Sequence, residues 1–291
     1  MYDRILVATD GSEAAAAAGG MAVTLAEAFE ADLHAVFVEE TDRWPFGLDE
    51  EQTAELRRYG EEAVSAVADR AAEAGIEVTT AVLGDDDPVH RTVLAYADEH
   101  GVDCVVMGTR GRSGVGRLLV GSVTEQLLRE STLPVVTVHE ETIVDWPFEN
   151  VLVPVDGSAT AHAALSEAID LAEQTEAAVH LIHVVDTGLV TGDVDGGLVL
   201  EALEEAGQRA LDIASDRVAQ SAVTTVESSV VSGSPSTAIC TYADERDVDA
   251  IVMGTHGRTG VERALLGSVT EGVIRHSELP VFTTKAAEEP E

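Results

Sequence analysis

Lysine is almost missing from this chain. Lys285 is the only one among 291 residues, and arginine supplies every other basic side chain. Against 17 basic residues stand 54 acidic ones, for a formal charge of −37. That balance excludes the basic patches that nucleic acid and anionic lipid require, so neither is expected as a partner. Cysteine is scarce as well. Cys104 and Cys240 sit at inequivalent places in no CxxC or Cys/His spacing, so they read as small core residues and not as a disulfide or metal site. No apolar run reaches the roughly 18 residues of a membrane span, and MYDRILVATD has neither the basic nor the apolar region of a secretory signal. A cytoplasmic protein is the expectation. Three motifs of nucleotide chemistry are missing too: no GxxxxGK[ST] loop, no SGGxDS loop and no HIGH sequence occurs.

What is present can fold. Hydrophobic residues make up 45% of the chain, enough for ordinary cores despite the charge. A length of 291 residues suits two domains. The run MGTRGRSGVGRLLVGS at 107–122 returns as MGTHGRTGVERALLGS at 253–268, an offset of 146. Each copy reads Gly-x-x-Gly, nine residues, then Gly-Ser: Gly108, Gly111, Gly121, Ser122 and Gly254, Gly257, Gly267, Ser268. Such glycines let backbone N–H groups approach a phosphate, and a following helix start adds the positive end of a dipole.

Other segments repeat at nearly the same offset. Apolar runs at 4–8 and 150–155 end in Asp-Gly-Ser, at Asp10 and Asp156, and read as a buried strand, a turn and a helix start. Alanine-rich helices fit 13–29 and 159–174, and second strands fit Leu33–Val38 and Val179–Val185. Longer polar helices fit 49–74 and 197–219, and third strands fit Glu77–Leu83 and Thr224–Val231. Helices opened by proline suit 88–100 and 235–246. The apolar runs Cys104–Gly108 and Ala250–Gly254 read as strands covered on both faces, followed by helices from 121 and 267 and fifth strands at Leu133–Val138 and Leu279–Thr284. The alternation predicts two α/β domains, 1–140 and 150–286, joined by a linker at 141–149 and followed by a tail at 287–291. Each is a five-stranded parallel sheet flanked by helices, in a Rossmann-like arrangement. A ligand crevice belongs at the carboxyl ends of strands one and four, where the order switches.

At these residues the chain resembles the universal stress protein family, and its tandem two-domain members in particular. The Gly-x-x-Gly-x9-Gly-Ser pattern after a strand is similar to that family's ATP-binding signature, and both copies fit it without gaps. The resemblance implies an adenine nucleotide α-hydrolase-like fold that binds ATP. The aspartate ending strand one would lie at the nucleoside, here Asp10 and Asp156. The end of strand two would meet adenine near Phe37 and Val184, and Met107 and Met253 would line the base pocket. Gly108, Gly111, Gly121 and Ser122, with Gly254, Gly257, Gly267 and Ser268, would hold ribose and phosphates. Internal pairing of the two domains through their fifth strands is also implied, with further homo-oligomerisation open. Lysine-poor, acid-rich composition resembles that of salt-in halophiles and points to a haloarchaeal source.

The halves differ. Ala8 stands where family members commonly carry the proline that Pro154 retains, and Phe37 brings a ring where Val184 is small. Arg110 and His256 either touch phosphate or face solvent. The insertion Asp85-Asp86-Asp87 reads either as a solvated acidic loop or as oxygen ligands holding Mg2+ or Mn2+ with the phosphates. These differences lead to the expectation that the second site binds ATP more tightly. The expected function is a stress-response nucleotide sensor or switch. The alternatives are a slow Mg-dependent ATPase and a nucleotide-free dimerisation scaffold. No second carboxylate or Ser/His/Asp ordering beside Asp10 suggests a general base, so no catalytic residue is expected.

Overall fold

A computed structural model describes residues 1–41, 48–84, 87–111, 120–189, 196–257 and 266–286. It divides into two units, Met1–Val144 and Asp145–Glu291. In the first, five strands run β1 (Arg4–Ala8), β2 (Asp32–Val38), β3 (Val78–Leu83), β4 (Cys104–Gly108) and β5 (Val135–Val138). They pair in parallel in the order β3-β2-β1-β4-β5, so the chain switches direction between β1 and β4. The second unit has β6 (Asn150–Pro154), β7 (Ala178–Asp186), β8 (Val226–Gly233), β9 (Ala250–Gly254) and β10 (Val281–Thr284), in the order β10-β9-β6-β7-β8. The α/β reading therefore holds, with one five-stranded parallel sheet in each unit.

The helices of the first unit are α1 (Glu13–Phe29), α2 (Glu50–Glu73), α3 (Val89–Glu99) and α4 (Ser122–Glu130). Those of the second are α5 (Ala159–Thr175), α6 (Gly196–Val218), α7 (Pro235–Glu245) and α8 (Ser268–His276). Among the described residues no helix is long and apolar enough to cross a membrane. Strand β1 is Ile5, Leu6 and Val7 with no solvent exposure, and β4 is buried along its whole length, which explains their unbroken apolar sequence. Strand β5 begins at Val135, two residues later than the sequence predicts. Pro134 cannot donate to a ladder, and its carbonyl instead accepts from Val105 N at 3.0 Å.

Strand β2 alternates, and its two faces meet different helices. His34 points to α3, where Nδ1 meets the Tyr96 hydroxyl at 2.9 Å. Phe37, three residues on, presses against Gly60 of α2 and packs edge-on to Tyr59, with ring centroids 6.0 Å apart. Odd positions of β2 thus face α2 and even positions face α3. The second unit repeats this: His180 meets Tyr242 at 3.2 Å on α7, and His183 presses against Gly207 of α6. Cys104 is buried in β4. Cys240 is half-buried in α7, and burial, helped by Asp244, pushes its thiol up to about 11.

Candidate functional site

The turn after β1 is built around Asp10. Its Oδ1 accepts from Ser12 N at 3.0 Å, closing an Asx turn, and Gly11 takes φ +76°, which a side chain rarely adopts. Ser12 then caps α1 by accepting from Ala15 N at 3.2 Å. Asp-Gly-Ser is therefore a structural unit: carboxylate, left-handed glycine, helix cap. Asp156, Gly157 (φ +79°) and Ser158 repeat it, with Ser158 N donating to Asp156 Oδ1 at 2.9 Å.

The glycine loop lies against this turn. A Cβ on Gly111 would stand 2.5 Å from Asp10 Oδ2, and a Cβ on Gly257 would stand 2.5 Å from Asp156 Oδ2. A side chain there would have to push the carboxylate aside, so the second glycine of each motif lets the loop meet the aspartate in its present position. Gly108 serves a different purpose. Its Cβ would strike the Ala14 backbone at 2.8 Å, so this glycine lets β4 end beneath α1; Gly254 does the same against Thr160. The loop returns where Gly121 N donates to Thr109 O at 2.8 Å and the Thr124 hydroxyl donates to Gly108 O at 2.9 Å. Helix α4 starts there with Ser122 in its first turn. In the second unit Gly267 N donates to Thr255 O at 2.8 Å and Thr270 Oγ1 donates to Gly254 O at 2.8 Å. Ser268 opens α8, Met253 is buried in β9, and the Thr160 hydroxyl donates to the His256 carbonyl. The nine-residue spacers fall mainly on 112–119 and 258–265, outside the described residues.

In the first unit these parts enclose a cavity of about 180 Å3 at the carboxyl ends of β1, β2 and β4. Asp10, Met107, Gly108, Gly111, Gly121 and Ser122 all line it. Its apolar wall is Ala8, Val36, Val38, Val89 and Val93, and its charged groups are Asp10, Glu40 and Arg110. Arg110 is only 11% exposed, with Nη1 3.9 Å from Glu140 Oε1, so it turns inward and not to solvent. Val36, Val38, Val89, Val93 and Glu40 were missed from sequence. The alternation of β2 about His34 was the signal that could have found the two valines. Among the described residues no cluster of three or more His, Cys, Asp or Glu stands ready for a metal ion.

Phe37 corrects the expectation drawn for it. It is 1% exposed on the α2 face of β2 and lies outside the cavity, because neighbours on a strand point to opposite faces. The comparison of Phe37 with Val184 is also out of register. Ala8 pairs with Val36 and Pro154 with Ile182, so Val184 is the counterpart of Val38, and Phe37 corresponds to His183. Valine therefore stands at this wall position in both halves. Ala8 against Pro154 and Arg110 against His256 remain as differences between the sites, and the register adds Val36 against Ile182. Asp85 and Asp86 of the acidic insertion lie outside the described residues, and Asp87 is exposed before Pro88.

Similarity to known proteins agrees with this architecture. The universal stress protein family model matches residues 1–139 and again 147–285. A universal stress protein of Methanocaldococcus jannaschii is 36% identical over 141 residues, covering 47% of this chain and 82% of its own. One of Mycolicibacterium smegmatis is 30% identical over 254 residues, covering 83% of this chain and 82% of its own. The crystal structure of a universal stress protein from Archaeoglobus fulgidus aligns over 98% of this chain and 97% of that one, with a TM-score of 0.72 and 26% identity.

Proposed function

Because the chain belongs to the universal stress protein family, we propose that it binds an adenine nucleotide, ATP, at the Asp10 and Asp156 turns and acts as a stress-response nucleotide switch. One observation carries this reading. In each half a glycine, where any side chain would displace the carboxylate, brings a loop against the aspartate at the end of the first strand, and in the first half both border one cavity. The wall of Ala8, Val36, Val38, Val89, Val93 and Met107 suits a flat apolar base, and Asp10 suits ribose hydroxyls. The start of α4 suits phosphate, with Arg110 the cation at hand. Asp10 and Glu40 add negative charge to the same cavity. A triphosphate therefore needs a counter-cation, and Mg2+ or Mn2+ riding on its oxygens supplies it. Glu40 brings a second carboxylate into the cavity beside Asp10, which the sequence reading did not expect, so the slow Mg-dependent ATPase is the alternative that a turnover measurement decides.

The test is to purify the chain in molar KCl, identify co-purified nucleotide by mass spectrometry and titrate ATP by calorimetry. Retained ATP without turnover supports the switch. Rapid release of ADP makes the protein an ATPase, and an empty site that takes up no nucleotide makes it a scaffold. Gly111→Asp and Gly257→Asp, which set a second carboxylate against Asp10 or Asp156, should each abolish one of two binding events. If Pro154 makes the second site tighter, Gly257→Asp removes the stronger event; removal of the weaker one reverses the ranking.

A further inference from the structure

The two Asp turns are held from behind by different chemistry. In the first half the Tyr59 hydroxyl, on α2 across the sheet from the cavity, donates to the Asp10 carbonyl at 3.1 Å. The fit is close: a Cβ on Gly11 would lie 2.5 Å from that hydroxyl. The Phe37 ring packs edge-on against Tyr59 and supports it. In the second half His183 replaces Phe37 and donates from Nδ1 to the Val155 carbonyl at 2.7 Å. Since a carbonyl only accepts, this contact fixes the proton on Nδ1. The counterpart of Tyr59, counted from Gly60 and Gly207 that face Phe37 and His183, is Ala206, which carries no hydroxyl. Among the described residues the nearest atom to a Cβ added at Gly157 is Ala210 Cβ at 3.9 Å, and none of them fills the space that the tyrosine hydroxyl takes in the first half.

We propose that Tyr59 and His183 are positioning residues, each setting the affinity of its own half's nucleotide site by orienting the peptide that carries Asp10 or Asp156. The inference rests on the proposed nucleotide binding. Asp10 Oδ2 already lies against Gly111, so a small rotation of the Asp10 peptide moves the carboxylate into the loop or away from the ligand. A hydrogen bond to the carbonyl of that same peptide resists the rotation. In the second half the hold is one residue earlier, at Val155, and comes from the strand β7 itself.

The experiment titrates MgATP into the full chain in molar KCl, with one site disabled. On a Gly257→Asp background, Tyr59→Phe keeps the ring and removes only the hydroxyl. It should weaken first-site binding by up to about five-fold, the worth of one net hydrogen bond, and lower the melting temperature by no more than the few degrees that the same bond is worth to the fold. On a Gly111→Asp background, His183→Phe should weaken the second site similarly. His183→Phe with Ala206→Tyr, which transplants the arrangement of the first half, should restore it. Hydrogen exchange at the Ser12 amide, the donor to Asp10 Oδ1, should quicken in Tyr59→Phe without any ligand. Unchanged affinity in Tyr59→Phe while its parent binds overturns the inference. Should the Gly257→Asp parent bind no nucleotide, the nucleotide reading falls at this site, and unchanged Ser12 exchange then overturns the positioning role as well.

Discussion

At the scale of single residues, the buried histidines set a pH limit. His34 and His180 each sit below the sheet surface against a tyrosine, Tyr96 and Tyr242. Burial, the largest cause, holds both below the ordinary 6.5. His100 and Arg4 push His34 further down against Asp32, while at His180 the Glu227 carboxylate opposes burial and Arg246 adds to it. Between the folded value and 6.5 the unfolded chain therefore binds more protons than the folded one. Stability from these groups is complete above about 6.5 and is lost as pH falls through the folded value. The denaturant midpoint should accordingly drop between pH 7 and pH 5. His34→Gln with His180→Gln should flatten that drop, and an equally steep profile in the double variant would assign it elsewhere. The clamp of Glu130 between His90 (3.2 Å) and Arg91 (3.2 Å) acts in the same direction. Glu130 is lowered, first by its hydrogen bond to Arg91, so its contribution too is lost toward low pH.

At the scale of elements, the sequence was most legible where one physical demand ruled. Strands β1, β4, β6 and β9 are apolar because both faces are buried, and their bounds were readable to within a residue. The Asp-Gly-Ser turns were readable because cap, Asx turn and left-handed glycine use characteristic residues. Legibility failed for β2. Its length and position were clear, but Asp32–Val38 is buried on both faces after its first residue, so hydrophobicity alone could not say which positions face α3. Phe37 was placed near the base by the resemblance, as a residue near the end of strand two, when Val36 and Val38 border the cavity. The loop spacing located the glycines but not their separate purposes, since contact with Ala14 or with Asp10 appears only once α1 is placed. Two helix ends were read to within a residue, at 29 and 174, but the left-handed residues that close them were not. Glu30 closes α1 at φ 53° and Glu176 closes α5 at φ 60°, where glycine is the usual residue. A side chain in that region costs roughly 1–2 kcal/mol, partly offset by the extra freedom glycine loses on folding. Glu30→Gly and Glu176→Gly should therefore each raise the unfolding free energy by about 0.5–1 kcal/mol. Chemical denaturation reads this directly, and a loss of stability would mean that the glutamate side chains contribute more than their strained backbone costs.

At the scale of the whole molecule, charge is the governing fact. A formal charge of −37 on 291 residues cannot be offset by the ion pairs present. Those on α2 and α6, such as Arg57–Glu61, Arg58–Glu62 and Arg209–Glu205, are more than half exposed and lie 3.7–3.8 Å apart. Pairs of that kind contribute about 0.3–0.5 kcal/mol each. Repulsion among the remaining carboxylates therefore opposes the compact state unless solvent screens it. Screening is weak at 0.1 M salt, where the Debye length is about 10 Å, and strong at 1 M, where it is about 3 Å. The melting temperature should thus climb steeply as KCl rises from about 0.1 M toward 1 M and flatten beyond, where the screening length is already shorter than the spacing of surface charges. A neutral osmolyte at matched osmolality stabilises by exclusion from the surface and not by screening, so its curve should lack that early rise. Asp69→Asn, Glu73→Gln, Glu201→Gln and Glu204→Gln remove four exposed charges from α2 and α6 without touching either core. The quadruple variant should melt higher than the parent at low salt and alongside it at 2 M KCl. A parent whose melting temperature does not respond to KCl, or a variant whose advantage persists at 2 M, would show that the acidic surface acts through something other than repulsion.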